Sequence, residues 1–297
     1  MSDPKDPPRL RIGVIGAGRV GAVLGAALHR AGHHVVAVSA VSDASRERAE
    51  MLLPFAEVRP VDEVVAGADL VLLAVPDDVL EDLVAGLARA HVWRPGQLVA
   101  HTSGRHGVAP FAPAMDVPVL PLALHPAMTF TGTALDVERL QGCCFGVTAP
   151  TDLRPVAEAL VLEMGGEPVW VAEDDRVRYH AALAHGSNHL VTLVAQAADI
   201  LRATGIEAPD RVLSPLLTAA LDNALRQGDA ALTGPVARGD VGTVGAHLRQ
   251  LDGLAPDIRA TYVALARATA ERAKASGRLS PRLADPLLDT LADSEDT

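Results

Sequence analysis

"GAGRVG", Gly16 to Gly21, stands directly after the apolar run "LRIGVI" and directly before the small-residue stretch "RVGAVLGAALHRAG". A glycine turn between a strand and a helix opens a βαβ unit, and a second apolar run, "HVVAVSA", follows at the matching distance. The spacing gives each glycine a task. Gly16 makes the tight turn, Gly18 lets the backbone approach a pyrophosphate, and Gly21 permits close packing of helix on strand. The helix N-terminus then offers free N–H groups and a partial positive charge, with Ala17, Arg19 and Val20 completing the loop.

Beyond this unit, short apolar runs keep alternating with helical stretches. "ADLVLLAVP", "GQLVAHTSG", "VPVLPLALHP", "GCCFGVTA" and "EPVWVAE" read as strands. That alternation predicts an α/β fold, a Rossmann-type doubly wound and mainly parallel sheet, over 9–172. From residue 173 the pattern changes. "DDRVRYHAALAHGSNHLVTLVAQAADILRATG" reads as one long amphipathic helix, and nothing after it reads as a strand. An all-helical domain is therefore expected over 173–290, with disordered tails at 1–8 and 291–297. The 297 residues leave room for two cores, and aromatics at 3% require those cores to be built from Ala, Val and Leu.

The formal charge of −11 argues against a nucleic-acid or anionic-membrane partner. No apolar run approaches the ~20 residues of a membrane span, and "MSDPKDPPRL" lacks the apolar stretch of a signal peptide. A cytoplasmic protein acting on a small molecule is expected. Cys143 and Cys144 are adjacent and fit neither a disulfide framework nor a zinc pattern. His185 and His189 form an i, i+4 pair without the intervening glutamate of a zinc-protease helix or a third ligand, so no metal is expected.

The second strand ends near Ser39, where a carboxylate would select NAD. Ser39 and Ser42 with Arg46 or Arg48 would instead accept a 2′-phosphate, which favours NADP. A shifted strand end would put Asp43 on the ribose instead. The rest of the cofactor crevice should come from the neighbouring strand ends, Val75–Pro76 and Thr102. Hydride transfer to C=O or C=N needs a proton donor at the heteroatom. Ser103 and His125 end strands on the crevice side. His180, Ala184, Ser187, Asn188 and Val191, spaced i, i+4, i+7, i+8 and i+11, share one face of the long helix. "TGPVARGDVGT", 233–243, interrupts the helical half. It reads as a loop in which Gly234–Pro235 ends one helix and Arg238, held by Asp240, meets a substrate carboxylate; a plain Arg238–Asp240 surface pair is the alternative.

With "GAGRVG", "LAVPD", "HTSG", "HPAMTF", "YHAALAHGSN" and "TGPVARGDVGTVGAHL" in this order, the chain resembles a bacterial family. Its members join a Rossmann-like domain to a helical C-terminal domain of unknown function, of the 6-phosphogluconate dehydrogenase-like kind. More distantly it is similar to ketopantoate reductase, pyrroline-5-carboxylate reductase, the 3-hydroxyacid dehydrogenases and the deazaflavin-dependent NADP reductases. The resemblance implies NADP binding, a homodimer through the helical domain and a site between the domains. Two of these families use a lysine one turn before an asparagine, and aligning on Asn188 puts Ala184 in its place. Lys5 and Lys274 are the chain's two lysines. The proton donor would then be His125 or His180, with Asn188 and Ser103 orienting the substrate. The expected function is an NADP-dependent oxidoreductase reducing a small keto or imino acid, ketopantoate-like by analogy of fold. The alternatives are a non-catalytic NADP-binding regulatory module and a deazaflavin-linked NADP reductase.

Overall fold

The computed structural model describes residues 9–292. They form two compact units that divide between Gly186 and Ser187, rather than between 172 and 173. The expected tail at 1–8 and all but residues 291 and 292 of the expected tail at 291–297 lie outside the described residues.

In the first unit eight strands, β1 (Arg11–Ile15), β2 (His34–Ser39), β3 (Glu57–Val58), β4 (Leu70–Leu73), β5 (Leu98–His101), β6 (Leu120–Pro126), β7 (Cys144–Thr148) and β8 (Glu167–Trp170), make one sheet. Its order is β3-β2-β1-β4-β5-β6-β7-β8. Neighbours are parallel except β6 and β7. Helices α1 (Arg19–Arg30), α2 (Asp43–Leu52), α3 (Val61–Ala66), α4 (Asp77–Arg89), α5 (Ala134–Arg139), α6 (Arg154–Glu163) and α7 (Arg176–Leu183) accompany it.

Both faces of the sheet are covered, which is why its central strands read as unbroken apolar runs. Successive residues of a strand serve opposite faces. Ile12, Val14, Leu70 and Leu72 pack with α1 and α2, while Ile15, Val71 and Leu73 pack with Val64 and Val65 of α3 and Leu80 and Val84 of α4. The register puts Ile15 beside Ser39 and Leu73, and Leu73 beside His101. The carboxyl ends of four strands therefore line up along one edge. Strand order reverses between β1 and β4, and a crevice at such a reversal is where α/β sheets hold ligands.

The segment read as one long helix is not regular. A π-helical turn, Ala184–Asn188, separates α7 from α8 (His189–Ala203). A π turn closes over one residue more than an α turn. The i, i+7, i+8 spacing from His180 therefore does not carry through to Ser187 and Asn188.

The second unit continues with α9 (Pro209–Gln227), α10 (Gly234–Arg238), α11 (Val241–Leu251), α12 (Pro256–Ala275) and α13 (Pro281–Ala292). Its core is Ala- and Leu-rich: Ala266, Ala270, Ala273, Ala284, Leu287 and Leu291 are all buried. Leu291, assigned to a tail by the sequence, thus belongs to the core.

"TGPVARGDVGT" is also more ordered than a loop. Gly234–Pro235 opens α10 rather than ending a helix. Gly239 closes it in the left-handed region at φ +71, and Asp240 caps α11, accepting from Thr243 N (3.0 Å) and Thr243 Oγ1 (2.7 Å). A side chain at Gly239 would be strained and would come within 2.8 Å of Leu283 Cβ. Gly239→Ala should cost the helical unit roughly 1–3 kcal/mol. Gly242→Ala, inside α11 with its nearest neighbour at 3.7 Å, should be neutral or stabilising. Urea denaturation of the two variants tests this; equal effects would refute the assignment.

Candidate functional site

At the carboxyl edge of the sheet, each glycine of the phosphate loop meets a different constraint. Gly16 has φ +95, and a Cβ there would stand 2.6 Å from Ala74 O. One on Gly21 would lie 2.2 Å from Gly16 O and 2.7 Å from Ala74 Cβ, whereas one on Gly18 would meet nothing within 4 Å. The first and third glycines close the loop against β4, and the second leaves open the space a phosphate group requires. Gly18 is also the N-cap of α1, with no side-chain cap and no acid in the first turn. The amides of Arg19, Val20 and Gly21 thus face an anion-favouring helix terminus.

The serines beside this loop hold backbone. Ser39 is buried, and its Oγ and carbonyl both accept from Gly16 N at 3.2 Å, while Ala17 N donates to the same carbonyl at 3.0 Å. Ser42 Oγ caps α2, accepting from Ser45 N. Arg46 turns outward to Asp43 (2.8 Å), and Asp43 is occupied by that pair. Arg48 is the guanidinium at the loop, donating from Nη1 to Ala17 O (3.1 Å). Gly132 covers it: a Cβ there would come within 2.8 Å of Arg48 Nε and 3.0 Å of Arg19 Cγ. The covering segment is fixed by Asp136, which accepts from Thr131 N (2.6 Å), Gly132 N (2.7 Å) and Thr131 Oγ1 (3.0 Å). Burial pushes the Asp136 carboxyl up, but these donors outweigh it and hold it below the usual range. Val75 lies against Gly16, Pro76 caps α4, and Thr102 N donates to Leu73 O.

A second cluster forms where β5 and β6 end. His101 is fully buried; its Nε2 donates to Gly107 O (2.6 Å) and its Nδ1 accepts from Ser103 N (3.2 Å). Burial pushes its pKa down to about 4, so it is neutral and shapes the "HTSG" turn. Ser103 is buried, and its Oγ accepts from His106 N (3.3 Å), so it too serves the turn. Glu173 holds the same turn from its other side, accepting from Val108 N (2.8 Å) and Ala109 N (3.0 Å). His125 Nδ1 lies 3.0 Å from the Tyr179 hydroxyl, and the His125 and His180 rings are 5.9 Å apart, edge to face. Gly104 sits between them: a Cβ there would come within 2.6 Å of His180 Cδ2 and 2.9 Å of His125 Nε2. Burial, then the His180 and Arg176 charges, push His125 down to about 4.

Sequence reasoning missed Tyr179 and Arg176. Arg176 is 1% exposed; it donates from Nε to Thr148 Oγ1 (2.7 Å) and from Nη2 to Ala123 O (3.0 Å) and Gly146 O (3.1 Å). Burial lowers its pKa to about 10, which leaves it charged. The i, i+3, i+4 spacing of Arg176, Tyr179 and His180 was the available signal. Asn188, Arg238 and Asp240 belong to the second unit. Asn188 ends the π turn, Arg238 ends α10, and Asp240 is turned to Thr243 rather than paired with Arg238. No group of three potential metal ligands occurs among the described residues.

Residues 1–126 match a Rossmann-like domain model and residues 143–269 the domain of unknown function DUF2520. No curated protein matches the chain. Among solved structures it is similar to a candidate NADP oxidoreductase of Bacteroides fragilis, with 24% identity, 89% of this chain and 98% of that one covered, and a TM-score of 0.74. It is also similar to an imine reductase from a Pseudomonas species (19% identity, 97% and 100% covered, TM-score 0.65). A third likeness is to a Plasmodium falciparum pyrroline carboxylate reductase with NADP bound (13% identity, 90% and 98% covered, TM-score 0.55).

The buried neutral His101 makes stability depend on pH. Its pKa is about 4 in the folded chain and 6.5 when exposed, so the unfolded chain binds the proton more readily. Stability present above pH 6.5 is lost as pH falls toward 4, by about 3 kcal/mol from this residue. Urea denaturation at several pH values should show that slope together with an equal one from His125, whose pKa is lowered to the same extent, and His101→Gln should remove about half of the total. The segment similar to a Rossmann-like domain runs through β6, and the segment similar to DUF2520 runs from β7 into α12.

Proposed function

We propose that the chain is an NADP-dependent reductase of a small keto or imino acid. The observation that carries this reading is the open space at Gly18, at a bare helix N-terminus whose loop also holds the Arg48 guanidinium at Ala17 O. The loop amides hold the pyrophosphate, and Arg48, with Arg19, takes the 2′-phosphate. When bound, NADPH supplies the hydride. His125, at the end of β6, and His180, on α7, stand 5.9 Å apart beside Gly104 and are the groups placed to donate to the substrate heteroatom. The imine reductase and pyrroline carboxylate reductase among the similar structures support the C=N side of that substrate class.

A homodimer through the helical unit is part of the proposal. On α8, Leu190, Val191 and Leu193 are exposed; on α9, Leu216 is 62% and Leu225 80% exposed. The same unit holds a largely apolar cavity of about 410 Å³ lined from α8, α10 and α12. A chain carrying both an apolar ridge and an apolar groove can bury them against a second copy. Light scattering should give roughly twice 30.9 kDa, and Leu216→Glu with Leu225→Glu should give the monomer mass. A monomeric parent would remove the dimer from the proposal.

The function is tested with pure protein, NADPH and a panel of 2-keto and cyclic imino acids. Steady NADPH oxidation is expected. Gly18→Ala should fold normally and weaken NADPH binding. Arg48→Ala should reduce the preference for NADPH over NADH by about tenfold or more, the worth of a charge-assisted hydrogen bond. Tight NADPH binding without turnover would replace the reductase by a regulatory module. Oxidation only after a deazaflavin is added would identify the carrier-linked enzyme.

A further inference from the structure

Tyr179 touches His125 at the ring nitrogen that faces away from Gly104. We propose that Tyr179 is a positioning residue that fixes His125 in the tautomer protonated on Nε2. The consequence for catalysis rests on the reductase reading above; the hydrogen bond itself does not.

A neutral imidazole has one donor and one acceptor nitrogen, and a partner at one nitrogen decides which is which. Here Nδ1 lies 3.0 Å from the Tyr179 hydroxyl, with the two rings edge to face at 5.6 Å. Among the described residues, His125 Nδ1 is the one acceptor that the phenol hydrogen reaches. Donation from Tyr179 to Nδ1 satisfies both groups. The reverse assignment leaves the half-buried phenol hydrogen without a protein acceptor. The proton of the neutral ring therefore belongs on Nε2.

The phenol cannot easily move away. Gly146 is the register partner of His125 across β6 and β7, and its missing side chain makes the space that Tyr179 fills. A Cβ there would come within 2.6 Å of both the phenol oxygen and Cζ. On the ring's other contact, the Arg176 guanidinium lies 6.0 Å from its centroid. That guanidinium is itself fixed to the carbonyls of Ala123 and Gly146. Tyr179 is thus set by one residue of its own helix and by a vacancy in β7. Nε2 meets the backbone of Gly104, where a side chain would reach it at 2.9 Å. The acceptor end of the ring is occupied, and the donor end lies beside Gly104, which has no side chain to cover it.

In this arrangement His125 offers a hydrogen bond from Nε2 to the oxygen or nitrogen of the substrate without first becoming an imidazolium. A ring left free to exchange tautomers would present a lone pair to that atom for part of the time, and such molecules would be unproductive.

The test uses full-length protein labelled with ¹⁵N-histidine, with the His125 signals assigned by their loss in His125→Gln. In the wild type near neutral pH the imidazole ¹⁵N shifts should report a protonated Nε2 and an accepting Nδ1. Tyr179→Phe should shift His125 toward a mixture of tautomers. It should also lower kcat about tenfold while leaving the KM for NADPH within about twofold. Gly146→Ala, which displaces the phenol from the other side, should shift the tautomer in the same direction. A wild-type His125 protonated on Nδ1 overturns the proposal without any variant, as does an unchanged tautomer in a folded Tyr179→Phe. An unchanged kcat in that variant removes the positioning role. If no keto or imino acid is turned over, the reductase reading falls, and the tautomer measurement still decides what Tyr179 does to His125.

Discussion

Where α1 leaves β1 the backbone has no room for a side chain, and the placement of the candidate cofactor loop depends on that close packing. Gly21 lies against the carbonyl of Gly16, and Gly16 lies against the carbonyl of Ala74, with no room for a Cβ at either place. This contact draws the start of α1 onto the strand edge where sheet order reverses. It also fixes Ala74 and Val75 beside the loop. Were α1 to start further from β4, its free amides would no longer face the crevice, and the opening at Gly18 would hold nothing in particular. The glycines thus act through van der Waals exclusion as much as through backbone freedom.

A second constraint builds the other half of the edge. Arg176 is buried; its Nε and Nη2 donate to a threonine hydroxyl and two strand carbonyls, while its Nη1 has no hydrogen-bond partner among the described residues. Burying a guanidinium is costly, and hydrogen bonds from charged donors are what offset the cost. Those acceptors come from β6 and β7, the one antiparallel pair in the sheet. The arginine therefore ties α7 to that pair, and the helix period then delivers Tyr179 over Gly146 and His180 beside Gly104. The placement of the histidine cluster follows from this one anchor.

Much of this was legible in the sequence, for physical reasons that also explain the rest. Strands buried on both faces are continuous apolar runs, so β1, β2, β4, β5 and β6 announced themselves. Glu57–Val58 did not, being two exposed residues at a sheet edge. Six-residue helices such as α3 and α5 are too short to show a period. The π turn at Ala184–Asn188 has no composition of its own, and it upset the helix face drawn through His180 and Asn188. Roles of site residues were harder. His125 was found because it ends a strand, but Ser39, Ser42 and Ser103 had to be seen bonded to backbone before their structural work was evident. Arg46 and Arg48 differ by two positions on one helix, and nothing in the sequence says which turns outward.

No lysine stands at Ala184, where the resemblance would put one, and the charges around His125 give a physical reason why a chain can do without it. Lys274 pairs with Asp285 at 3.5 Å in the helical unit, and Lys5 lies outside the described residues. An ammonium beside His125 would be a second cation near Arg176, whose charge already helps push that imidazole toward neutrality. Like charges that close in a half-buried site raise each other's cost. A neutral imidazole held by a phenol avoids the problem: it donates a hydrogen bond while adding no charge. Such a donor is weaker than an ammonium ion, and its usefulness rests on orientation rather than acidity. That puts the burden on the residues that orient it, which is where Tyr179, Gly146 and Arg176 stand.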